Sequence, residues 1–188
     1  AIDGSGTGSV FEVTASATAT FEAETITGGS NFSTGGGGSL NHGSLTVLES
    51  TVTDNYGIAG GAIMNTSGGS TNVFYSTLSG NTSLAGGDGL SNLSGWVVIE
   101  FSTITANAGG IVSYTFGGTS TAVVASIVQD FSGSVFLDAY SVVGGAFEGN
   151  CDCAGARRAG CNDRLAVGNV RRKNRTRLDA AQRSATAG

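Results

Sequence analysis

Hydroxyl side chains two residues apart recur through the chain: Thr25 and Thr27, Thr51 and Thr53, Thr77 and Ser79, Thr103 and Thr105. Alternate residues of a strand share a face, so each pair sets two hydroxyls and their methyls side by side. Thr is also a good strand residue, and cross-strand Thr contacts explain such pairs without any ligand. Acid–base chemistry has fewer candidates. Glu22 and Glu24 alternate and share a face, and Glu12 lies in a preceding strand. Glu22 and Glu100 fall in one row but three repeats apart, about 14 Å at strand spacing. A glycosidase pair needs about 5–10 Å. Asp54 and Asp130 are also three repeats apart. The single His is His42, in Leu40-Asn41-His42-Gly43, a turn context with no carboxylate nearby in sequence. That favours an exposed corner residue over a catalytic one. No stretch matches a calcium-binding nonapeptide or an EF-hand loop, and no cofactor or metal is expected. Cys151, Cys153 and Cys161 lack a fourth ligand for a closed zinc site. Being three, they leave one thiol free or paired between chains; Cys151–Cys161 or Cys153–Cys161 are the possible disulfides.

The elements that position these residues follow from spacing. Thr25, Thr51, Thr77 and Thr103 each stand 26 residues apart. Apolar rows keep the same register: Phe21, Val47, Val73 and Ile99, and Ile26, Val52, Leu78 and Ile104. Val123 and Val128 continue them two residues short. Apolar residues flanked by hydroxyl residues give the period-2 signature of a strand with one buried face. No apolar stripe at helical spacing occurs before residue 150. Gly pairs open the units at Gly36-Gly37, Gly60-Gly61, Gly86-Gly87 and Gly109-Gly110. Each unit then buries its apolar face by stacking on its neighbours. The expected fold is all-β: a right-handed, single-stranded parallel β-helix over residues 1–150, of roughly six coils. Asn55, Asn81 and Asn107 close three units, either as turn residues or as a ladder of side-chain amides.

Composition narrows the function. Gly makes up 32 of 188 residues, Pro is absent and only 12% are charged. Without a G-X-Y period this excludes collagen, and 39% hydrophobic residues argue against a wholly disordered chain. Residues 1–156 hold 12 acidic residues and no Lys or Arg. Such a body repels phosphates, so nucleic-acid binding by it is not expected. It also lacks the cations that pectate-lyase-type elimination needs. Residues 157–188 hold all nine basic residues against Asp163 and Asp179. The change near residues 148–156 predicts a separate basic tail, 151–188, disordered or marginally helical. Its run Arg171-Arg172-Lys173-Asn174-Arg175-Thr176-Arg177 reads as a solvated tail with the acidic body as partner, or as a nucleic-acid or targeting patch. No transmembrane segment or signal peptide is seen. The start at Ala1 reads as processing or truncation.

The unit Gly60-Gly61-Ala62-Ile63-Met64-Asn65, followed by an apolar strand and Ser76-Thr77-Leu78-Ser79-Gly80-Asn81, resembles the repeat of bacterial surface and secreted right-handed β-helix proteins. These include the polymorphic outer-membrane-protein type, with GGA-[ILV] and F-x-x-N repeats, and the wider pectate-lyase-like superfamily. The opening Ile2-Asp3-Gly4-Ser5-Gly6-Thr7-Gly8-Ser9-Val10-Phe11 is similar to a phrase of such proteins. GGAI occurs cleanly once, and Thr replaces the Phe of F-x-x-N. The resemblance covers about residues 1–147. It implies the fold and an extracellular or cell-surface location, and it carries over no catalytic residue. The expected function is a non-catalytic structural or adhesive module. Its expected partners are itself, through end-to-end stacking, or surface glycans, without membrane insertion. The rival is a carbohydrate-active lyase or hydrolase of the same fold. A third reading is ice binding, because the T-x-T array is similar to the face of antifreeze β-solenoids.

Overall fold

Every pairing between named strands of the computed structural model is parallel, and each strand pairs with its equivalent one turn along the chain. The structure describes the backbone of residues 1–114, 121–133, 135–137, 142–148 and 151–152, with side chains to 114 and over 121–129. It is a parallel β-helix of about five turns, with no helix among the described residues. The tail from residue 153, Cys153, Cys161 and the Cys151 and Asp130 side chains lie outside the described residues.

Three ladders form the walls. The first is the hydroxyl ladder: Ile2–Asp3, Thr25–Thr27, Thr51–Thr53, Thr77–Ser79, Thr103–Thr105 and the start of Ile127–Gly133. The second has longer strands: Thr18–Glu22, Ser44–Leu48, Ser70–Phe74, Trp96–Glu100, Thr121–Val124, Val135–Leu137 and Cys151–Asp152. The third follows the glycine pairs: Phe11–Val13, Ser39–Asn41, Ile63–Asn65, Leu90–Leu93 and Ile111–Tyr114. A short fourth ladder joins Ser30–Asn31, Tyr56–Gly57 and Thr82–Ser83. Ile127–Gly133 pairs with Thr103 and Ile104 at its start and with Ile111–Ser113 at its end. There the chain runs straight from the hydroxyl ladder into the third ladder, without the intervening corner.

The apolar rows lie where the 26-residue register puts them. Phe21, Val47, Val73, Ile99 and Val123 are paired in sequence, as are Ile26, Val52, Leu78, Ile104 and Val128. All are buried except Phe21, which is half-buried in an outermost strand and packs against Phe11, ring centroids 4.3 Å apart and planes tilted by 34°. Removing such side chains from water contributes about 1.5–3 kcal/mol each.

Corners come from left-handed residues. Ala23, Glu49, Tyr75, Phe101 and Ala125 turn the chain from the long strands into the hydroxyl ladder, with φ from 46° to 55°. Gly28, Asp54, Gly80 and Ala106 turn it out again, with φ from 54° to 68°. A third corner needs glycine: a Cβ on Gly60 would collide with the carbonyl of Ile63, one on Gly36 with that of Ser39. Gly87, not Gly86, holds this position in the next turn, at φ 70°. The glycine pairs therefore do not share one register. Ser39 pairs with Ile63, Ile63 with Leu90 and Leu90 with Ile111, so this ladder steps by 24, 27 and 21 residues. The segments before and after it vary in opposite senses, so the hydroxyl ladder keeps its 26-residue step from Thr25 to Thr103 and steps by 24 at either end.

Candidate functional site

Three rows of polar side chains run inside the corners and bond to the scaffold. Ser50, Ser76, Ser102 and Ser126 are buried. Each hydroxyl donates to the carbonyl two residues back, at 2.7–2.8 Å, and accepts the amide of the previous turn, at 3.0–3.1 Å. Asn55, Asn81 and Asn107 form the second row. The Asn55 amide donates to Asn81 Oδ1 and that of Asn81 to Asn107 Oδ1, each at 3.0 Å. They also donate to Ile26 O and Val52 O one turn below. These residues hold corners that carbonyl and amide groups would otherwise leave unpaired.

The third row was not visible at the 26-residue period. Asn41 donates to Asn65 Oδ1 at 2.8 Å, and Asn65 to Asn92 Oδ1 at 3.0 Å. Thr71 donates to Asn65 Oδ1, and Asn92 donates to Thr121. All five are buried. A signal existed: each Asn precedes a Gly by two to four residues (Gly43, Gly69, Gly95), and each bonds its backbone.

The outward hydroxyls face solvent. Thr25, Thr51, Thr77 and Thr103 share one row; Thr27, Thr53, Ser79 and Thr105 share the next; all are half-buried. Ile127, 54% exposed, ends the first row. In the second row the Thr53 hydroxyl donates to Asp54 at 3.2 Å and that of Thr105 to Gln129 at 3.0 Å. The face therefore carries six hydroxyls with no such tie to a neighbouring side chain, on strands about 4.8 Å apart.

One edge of this face is aromatic. Tyr75 and Phe101 occupy the same corner in successive turns, with ring centroids 5.1 Å apart and planes 7° apart. The opposite side continues through Asp54 and Asn55 into the short fourth ladder. There Tyr56 meets Phe32 at 4.7 Å.

The acidic candidates stay apart. Glu22, Leu48, Phe74 and Glu100 are register partners in that order, so the two carboxylates are separated by two full turns of other residues. No group of three or more His, Cys, Asp or Glu fit to hold a metal occurs among the described residues. His42 does acquire neighbours from other turns. Its Nε2 lies 3.9 Å from Glu12 Oε1, and its Nδ1 lies 2.8 Å from the Thr66 hydroxyl. The sequence concealed this because the turn brings distant residues together. The Thr66 hydroxyl also bonds Asn41 O at 3.0 Å. These contacts tie the ring to a corner, with Nε2 turned toward Glu12. Comparison with protein-family models, curated proteins and solved structures finds no match, so the functional reading rests on fold and geometry.

Proposed function

We propose that this chain is a non-catalytic, secreted or cell-surface β-helix module with a structural and adhesive role, presenting its hydroxyl face as the contact surface. The observation that carries this reading is the in-register hydroxyl array, on a scaffold whose inward polar side chains are already bonded to it. Hydroxyls and methyls offer a polar surface many weak contacts and supply no acid or base. Bead-bound chain passed over a panel of insoluble polysaccharides tests it. The expected result is retention with no reducing ends or unsaturated products. Replacing Thr51→Lys, Thr77→Lys and Thr103→Lys together, on outward positions, should abolish retention. Product release, or retention unchanged by the triple variant, would contradict the reading.

Ice binding is a second reading, favoured by the two-row spacing of the hydroxyls. It fits less well, because Thr53 and Thr105 bond to neighbouring side chains and Tyr75 and Phe101 stand exposed at the edge. Thermal hysteresis measured on the full chain separates the two: none is expected for an adhesive face, and a depression lost in the Lys variant would select ice.

A further inference from the structure

We propose that Tyr75 and Phe101 form a stacking site for neutral sugar rings at the edge of the hydroxyl face. The proposal rests on the adhesive reading and names its ligand class. The rings are 59% and 52% exposed, nearly parallel and 5.1 Å apart. Both residues have φ 51°, in the left-handed region, which costs a non-glycine residue roughly 1–2 kcal/mol. The fold does not require aromatic residues there. The same corner holds Ala23, Glu49 and Ala125 in other turns, at φ 55°, 48° and 46°. The left-handed backbone is common to every turn at this corner, so the exposed pair of rings, where alanine serves equally well, is what marks a contact surface.

The surroundings define the ligand. Each ring covers one face of the other. The same corner holds Glu49 in the turn on the Tyr75 side and Ala125 in the turn on the Phe101 side. Thr77 and Thr103, two residues beyond the rings, stand on the outward hydroxyl row. Ring faces suit the C–H face of a pyranose, and carboxylates and hydroxyls suit its hydroxyl groups. Anionic sugars meet repulsion, since residues 1–156 carry 12 acidic residues and no Lys or Arg. The same acidic charge would draw a basic peptide, and cations also sit on ring faces; the hydroxyl row beside the rings pairs with sugar hydroxyls and gives a cation no charge partner, which favours the sugar.

Titration of the full chain with neutral oligosaccharides (gluco-, xylo- and manno-series), an oligogalacturonate and an oligoarginine tests the site, read by calorimetry and ring-proton NMR. The control is the double variant Tyr75→Ala, Phe101→Ala, whose fold is checked by its thermal midpoint because alanine already occupies this corner. The expected result is binding of at least one neutral series, weakened at least about tenfold in the double variant, with the uronate weaker still. Equal affinity in the double variant, no binding of any neutral series, or preference for the oligoarginine would overturn the proposal. If retention on insoluble polysaccharide survives the double variant but not the Thr→Lys variant, this proposal falls and the adhesive reading stands. If the unaltered chain is never retained, both fall.

Discussion

At the scale of single residues, the buried amides do most to fix the corners. Asn81 accepts from the Asn55 amide and backbone and donates to Val52 O and Ser79 O. Asn81→Leu fills similar space but strands several of these groups, each costing about 1–3 kcal/mol. A loss of about 3 kcal/mol or more in denaturant unfolding is expected, and a loss under 1 kcal/mol would show that the row is ornamental. Left-handed corners give the opposite sign. Ala106 is exposed at φ 55°, where Gly28 and Gly80 stand in other turns. Ala→Gly ordinarily costs about 0.5–1 kcal/mol inside an element. Here relief of the left-handed strain offsets that cost, so the thermal midpoint of Ala106→Gly should hold or rise. Asn55, Asn81 and Asn107 were legible because they keep the 26-residue step. Asn41, Asn65 and Asn92 were not, because 24 and 27 residues separate them. Likewise, the Glu12 contact with His42 depends on stacking, which no local motif encodes.

At the scale of the strand and the coil, the rows of Val, Ile and Leu were readable from period-2 alternation and constant spacing. The hydroxyl ladder and the long strands keep that spacing up to Thr103 because the segments on either side of the third ladder vary in opposite senses. The third ladder lost it to loops of unequal length, and the glycine register drifted with it. Val73 is fully buried between Val47 and Ile99. Val73→Asp places an unpaired charge there at a cost of several kcal/mol. Because each coil contacts only its neighbours, the damage should spread from residues 70–74 into the adjoining turns, detected as lost amide protection in hydrogen exchange. Protection loss confined to one strand, or an unchanged midpoint, would contradict the stacked-coil account. Leu78→Ala, in the other row, should cost about 2–5 kcal/mol.

At the scale of the whole molecule, a thin linear core displays much surface per residue, and this one displays a hydroxyl face bordered on one edge by aromatic rings. The outermost strands Phe11–Val13 and Thr18–Glu22 each pair on one side among the described residues. Open edges recruit further strands. Sedimentation of the full chain should therefore show concentration-dependent association through this end, and strict monomers at high concentration would reject it. The +7 charge of residues 157–188 against the −12 of residues 1–156 predicts an added attraction that weakens with salt. Adhesion without catalysis is tested by measuring two quantities in one tube of chain and insoluble neutral polysaccharide: protein depleted from solution and carbohydrate released into it. Depletion without release is expected. Sustained release of sugar, or no depletion at any concentration, would contradict it.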